Sequence, residues 1–90
     1  MINLYHYQDQ TSDKIWGWVP LEEGALSFWG RTRGSLAFKR YNYQYDASIQ
    51  ARKKNDKGYR EVTDKDHDRL LPEDFMGQLM LAKLGQVKFA

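Results

Sequence analysis

The sequence predicts an α+β fold: a twisted, mostly antiparallel β-sheet with one helix packed across it and a second, C-terminal helix. Two observations predict the sheet. Stretches of two-residue alternation recur through the first 41 residues, and turn-forming clusters such as Asp9-Gln10-Thr11-Ser12-Asp13 and Glu22-Glu23-Gly24 separate them. A third predicts the helices: Asp46 can cap a helical run, and residues 72–84 open with Pro72 and repeat apolar side chains at helical spacing.

Met1 to Gln8 reads as a strand, with Ile2, Leu4 and His6 on one face and Tyr5 and Tyr7 on the other. Lys14 to Leu21 sets Trp16 and Trp18 against Ile15, Gly17 and Val19. Pro20 has no N–H for a ladder and belongs at an edge or at the strand end. Ala25 to Arg31 is the third strand. If Leu26 and Phe28 face the core, then Ser27, Trp29 and Arg31 line the opposite face, with Trp29 and Arg31 roughly 6.5–7 Å apart. From this strand alone a core position fits Trp29 as well, since tryptophans are highly buried on average.

The following hairpin can be argued more closely. Leu36 and Phe38 should share the core face with Leu26 and Phe28. A two-residue loop at Arg33-Gly34 would pair Trp29 with Phe38 and put both on one face. A three-residue loop, Thr32-Arg33-Gly34, pairs Trp29 with Ala37 and Arg31 with Ser35, which restores the faces. Such a loop places its last residue in the left-handed region, so Gly34 is expected there. Small Ala37 and Ser35 then flank Trp29 and Arg31, and Lys39 and Tyr41 continue an open basic–aromatic patch.

Asp46 is expected to cap a helix from Ala47 to Lys54. Arg52, Lys53 and Lys54 occupy its last turn, where the helix dipole favours cations whether or not they bind anything. Tyr59 to Val62 reads as a short strand and Asp64 to Leu71 as an acidic loop. Pro72 opens the second helix and Gly85 ends it. Its stripe of Phe75, Met76, Leu79, Met80 and Leu84 is expected in the core, with a dimer face as the alternative, and Gln86 to Ala90 reads as a short strand.

Ninety residues fit one domain, and thirteen aromatics can give so short a chain a dense core. With no cysteine there is no disulfide framework or thiolate metal site, which fits a reducing compartment. No apolar run approaches the roughly 18 residues of a membrane span, and the N-terminus lacks a basic-then-apolar signal pattern. A soluble, cytoplasmic, monomeric protein with no membrane partner is the expectation. The net charge of +2 is unevenly spread. Residues 31–60 carry nine Lys and Arg against Asp46 and Asp56, a net +7; residues 61–74 carry six acids against Lys65 and Arg69, a net −4. One surface should attract anions and another should be a solvated acidic edge.

Catalytic and metal chemistry find little support. Asp64 to Asp68 begins like a calcium loop, but Arg69 stands where its glycine should be and Phe75 where its glutamate should be. His6 and His67 alone leave a zinc site dependent on carboxylates. Ser12, Ser27, Ser35 and Ser48 form no nucleophile elbow, and no glycine loop cradles phosphate. Neither an enzyme nor a cofactor-dependent protein is expected.

Residues 13–62 resemble the WGR domain family. The resemblance starts at Lys14-Ile15-Trp16, passes through Trp29-Gly30-Arg31 and the basic strand Leu36-Ala37-Phe38-Lys39-Arg40, continues in a helical stretch with Ala47 and Ile49, and closes at Lys57-Gly58-Tyr59. The chain departs from the pattern in the short, basic loop Thr32-Arg33-Gly34-Ser35 and in lacking phenylalanines over Ser48 to Lys54. The family occurs in DNA-damage-dependent poly(ADP-ribose) polymerases, where the motif's Trp and Arg meet broken DNA and neighbouring domains. By position, the resemblance implies that Trp29 packs on a sugar-phosphate backbone and that Arg31 contacts phosphate or a partner protein. It also implies a stand-alone domain of a bacterial type, too short for the catalytic domain of those polymerases. The expected function is non-enzymatic nucleic-acid binding, of DNA in the first place, through Trp29, Arg31, Arg33, Lys39, Arg40, Lys53 and Lys54. The alternative is a protein-interaction adaptor using the same Trp-Gly-Arg face.

Overall fold

The alternation of the N-terminal half becomes four strands in the computed structural model of the protein, which describes residues 1–85. These are β1 (Asn3–Gln8), β2 (Asp13–Pro20), β3 (Ala25–Arg31) and β4 (Ala37–Tyr41). A short β5 (Arg60–Glu61) completes a five-stranded sheet of order β4-β3-β2-β1-β5. All its pairings are antiparallel, so the α+β expectation holds. Pro20 closes β2, as its missing N–H requires. The strand expected over Tyr59 to Val62 is paired only at Arg60 and Glu61, with one further bond from the Val62 N–H to the Leu4 carbonyl at 2.9 Å.

The sheet order dictates what covers the tryptophans. β4 and β5 are opposite edges, and the chain joins them through α1 (Gln44–Asp56), so α1 must cross the whole sheet. Four strand spacings span about 19 Å and a helix of this length about 20 Å, so the connection just fits. Ala47 and Ala51 are its buried residues, and Ala51 packs with Tyr5 and Trp16. Small side chains there let the helix lie close on large rings. It starts three residues before the expected Ala47. The Asp46 N–H already bonds the Tyr43 carbonyl at 3.1 Å, so Asp46 sits inside the first turn and supplies charge to the helix N-terminus, not a cap.

The other face carries the main core. Leu4, Ile15, Val19, Leu26, Phe28 and Phe38 from the strands meet Leu70, Leu71, Phe75, Leu79 and Ala82. The expected acidic loop is instead a 3₁₀ turn (Asp64–Asp66) running into a short α2 (His67–Leu70), because Leu70 is drawn fully into the core. The second long helix, α3 (Phe75–Lys83), begins three residues after Pro72; the Pro72 carbonyl instead accepts the Phe75 N–H at 3.0 Å in the preceding turn. The apolar stripe expected in the core divides. Phe75 and Leu79, with Ala82, line the inward side, whereas Met76, Met80 and Leu84 are 63%, 58% and 64% exposed. A helix lying flat on a sheet buries one line of residues, and the line one step round faces outward. The short strand expected over 86–90 lies outside the described residues.

The β3–β4 register is the one the three-residue loop requires: Trp29 pairs with Ala37 and Phe28 with Phe38. The left-handed residue, however, is Arg33, at φ 62, and not Gly34. The strain of a Cβ there is offset by contacts on α2 and just beyond it. The Arg33 N–H bonds the Leu70 carbonyl at 2.9 Å, and its Nη1 reaches the carbonyls of Asp68 at 2.6 Å and Leu71 at 3.3 Å. Gly30 is demanded by a close approach. A Cβ at this position would lie 2.6 Å from the Ser35 carbonyl oxygen, so only glycine fits between Trp29 and Arg31.

Candidate functional site

Cross-strand pairing arranges the α1-covered face in rungs. One rung runs Tyr5–Trp16–Trp29–Ala37 across four strands, and the next runs Tyr7–Lys14–Arg31. On the other side of the tryptophan rung, Ser27 pairs with Lys39 and Ala25 with Tyr41. Where α1 crosses, its Gln50 and Lys54 form one wall of a slot of about 290 Å³. Trp29, Lys39 and Tyr41 form the other wall, and Trp16 also lines it. The two indoles differ in availability: Trp16 is buried, and Trp29 is half-exposed.

Cations ring these aromatics. Lys14 Nζ lies 5.2 Å from the Tyr7 ring centroid and 6.0 Å from that of Tyr59, Lys54 Nζ lies 5.3 Å from Tyr59, and Lys39 Nζ lies 5.2 Å from Tyr41. The Tyr7 and Tyr59 rings are themselves 5.3 Å apart. Burial pulls the Lys54 ammonium pKa below its ordinary value, and the positive charges of Lys57 and Lys14 add to this. Burial raises the Tyr59 phenol, so that ring stays neutral beneath the lysines. Lys14 and Arg31 stand directly opposite on paired strands, an arrangement that costs stability between like charges. Among the described residues, no carboxylate lies within ion-pair distance of Lys14, Arg31, Lys39 or Lys54; the ion pairs present involve His6, Arg33, His67 and Arg69. Such a surface lowers its own energy by taking up an anion, and the half-open indole offers a flat face beside it.

The residues singled out from sequence are therefore only partly together. Trp29, Lys39 and Lys54 meet in the slot. Arg31 stands one rung away, exposed, beside Lys14 in a depression that Thr11, Ser12 and the carboxylate of Asp13 also line. Arg33 does not join them: its guanidinium is held against α2 and lies 3.6 Å from Glu73. Arg40 pairs with Leu26, on the opposite face from Lys39, and lies near Glu23 and Tyr43. Lys53 is exposed on α1, off the line of Ala47, Ala51 and Lys54 that meets the sheet. Sequence reasoning placed Tyr41 in the patch but missed Lys14, Trp16, Gln50 and Tyr59 as neighbours of the site. Lys14 and Trp16 did carry a signal, since alternation places both on one face; what was missing was the β2–β3 register that sets them opposite Arg31 and Trp29.

No group of three or more His, Asp or Glu placed to hold a metal occurs among the described residues, and no described helix is long and apolar enough to cross a membrane. Compared with family models, with curated proteins and with solved structures, the chain finds no match in any of the three.

Proposed function

We propose that this chain is a WGR-like, non-enzymatic nucleic-acid-binding module, with DNA as its partner in the cytoplasm. One observation carries the reading: Lys39 and Lys54 line the slot beside the partly buried indole of Trp29, Lys14 and Arg31 stand one rung away on the same face, and none of the four has a carboxylate within ion-pair distance among the described residues. Lysine and arginine neutralise phosphates, while an aromatic face stacks on a base or a ribose, and both tolerate any sequence. In this scheme Arg31 and Lys14 take one phosphate, Lys39 and Lys54 follow the backbone along the slot, and Trp29 packs against the sugar or base between them. Arg33 is held against α2, and Arg40 projects from the opposite face of the sheet, so neither joins this surface.

An NMR titration with duplex, nicked and single-stranded DNA tests this. Shifts should centre on the Trp29 indole and on Lys14, Arg31, Lys39 and Lys54. Affinity should be micromolar or weaker at physiological salt, with log K falling about 0.9 per contacted phosphate per log unit of salt on duplex. Absence of binding to any DNA or RNA at low salt sinks the proposal. The rival reading is a protein-interaction adaptor, favoured by the adjacency of an exposed arginine to a half-exposed tryptophan, two residue types enriched at interface hot spots. Salt separates the two, since a Trp-centred protein contact loses little affinity as ionic strength rises.

A further inference from the structure

The side of the molecule turned away from the slot has the opposite character. α3 buries Phe75, Leu79 and Ala82, yet most of its outward positions are apolar too: Met76, Met80, Leu81 and the capping Leu84 are 44–64% exposed, with the exposed Lys83 in its last turn as the helix's one charge. Gly77 shares that outer side and has open space where a side chain would stand, so another backbone can approach closely there. A soluble surface helix normally shows charge on its outer face, and a helix apolar on both sides is one that packs on both sides. Methionines suit such a surface because their unbranched thioethers adapt to the shape of what docks.

Charge identifies the occupant. The apolar line starts in a cleft of about 550 Å³ where Met76 and Phe75 meet Asp64, Asp68 and Glu73. The Asp64 and Glu73 side chains are 99% and 93% exposed, and among the described residues Arg33 is the one Lys or Arg lining the cleft. Residues 61–74 are net −4 in a chain that is net +2. We propose that α3 and the acidic segment before it dock a basic amphipathic helix of a partner protein. Its apolar side would lie along Met76, Met80 and Leu84, one bulky side chain would fill the cleft, and its lysines or arginines would face Asp64, Asp68 and Glu73. A second copy of this chain would bring the same net-negative segment to the contact, so charge favours a basic partner over self-association. The docking face is separate from the slot and does not depend on nucleic-acid binding there.

The probe is a 16-residue amidated helical peptide with leucine and one tryptophan on one side and lysine on the other, titrated calorimetrically into the full chain. A matched peptide with glutamate for lysine is the control. The lysine peptide should bind and the glutamate peptide should bind at least tenfold more weakly, although the protein's overall positive charge favours the reverse. The exposed double variant Met76→Ser/Met80→Ser should weaken the lysine peptide at least tenfold while keeping its melting temperature and its nucleic-acid binding. Asp68→Asn/Glu73→Gln should weaken it severalfold and flatten its salt dependence. Equal binding of the two peptides, no effect of the methionine variant, or peptide-induced shifts at Trp29 and Arg31 in place of α3 would each overturn the proposal. A concentration-dependent dimer that Met80→Asp dissolves would overturn it in favour of a second copy, and vesicle binding lost in Met80→Asp in favour of lipid.

Discussion

The two faces of one sheet are built from the same strands to different standards. Under α2 and α3 the strands present Leu4, Ile15, Leu26, Phe28 and Phe38, each at most 2% exposed, packed on leucines and Phe75. Under α1 they present Tyr5, Trp16, Trp18 and Trp29, with Tyr59 beside them, and the helix answers with alanines and a half-buried lysine. The first face is what a small domain needs in order to fold. The second buries less than its aromatic area allows and sets Lys14 against Arg31, an arrangement stability alone does not favour. Residues that fold the chain and residues free to bind thus alternate along the same strand.

The sharpest test compares neighbours on β3. Phe28 is fully buried, with its ring centroid 5.0 Å from that of Phe75 and 6.3 Å from that of Phe38. Phe28→Ala should cost about 3–5 kcal/mol, a large part of the stability of so small a domain, measured by urea or thermal unfolding. Gly30→Ala comes next. Its Cβ would press on the Ser35 carbonyl and force the hairpin apart, at about 2–3 kcal/mol. Trp29→Ala, half-exposed on the other face, should cost about 1–2 kcal/mol yet weaken DNA binding at least tenfold. If Trp29→Ala destabilises as much as Phe28→Ala, the faces do not differ and Trp29 belongs to the core.

Much of this was legible in the sequence. Two-residue alternation set the strands, and requiring Leu26 and Phe28 to share a face with Leu36 and Phe38 fixed the hairpin register. The same alternation also tells that Arg40 cannot share the face of its neighbour Lys39, so that misplacement was avoidable. Arg33 was not: its left-handed backbone is imposed by the carbonyls of Asp68, Leu70 and Leu71, which are distant in sequence. Nor was the division of α3, because periodicity shows that a helix is apolar and cannot show which part of a wide stripe meets the sheet. The partial cover of Trp29 follows from β4 and β5 being opposite edges, a fact of topology that no local pattern states.

A pH titration probes the aromatic face from its margin. In the β1–β2 turn, the Tyr7 hydroxyl donates to Asp9 at 2.7 Å, and the Thr11 and Ser12 N–H groups donate to the same carboxylate. These bonds, that of Tyr7 first, hold the Asp9 pKa down to about 2. A carboxyl depressed on folding adds stability that is complete above its ordinary range and is lost as pH falls through the folded value. Melting temperature should therefore drop between about pH 4 and pH 2, and Asp9→Asn should flatten part of that limb. An unchanged limb in the variant would mean that the turn does not hold Tyr7 in place beside Lys14.

The smallest stability effect is expected where the binding effect is distinctive. Arg31 is exposed, bonds no carboxylate among the described residues and faces Lys14 across the β2–β3 ladder. Removing its charge relieves a like-charge pair, so Arg31→Gln should leave stability unchanged or raise it by up to about 0.5 kcal/mol. If Arg31 holds a phosphate, the same variant should bind duplex DNA more weakly at low salt, and the slope of log K against log salt should shrink by about 0.9, the share of one contact. Arg40→Gln is the matched control, because it removes an equal charge from the adjacent strand but from the opposite face. Its net-charge effect on affinity should be mild and its salt slope unaltered. Equal losses in the two variants would mean that the DNA senses only the overall charge of the domain, and the division of labour between the two faces would then not extend to binding.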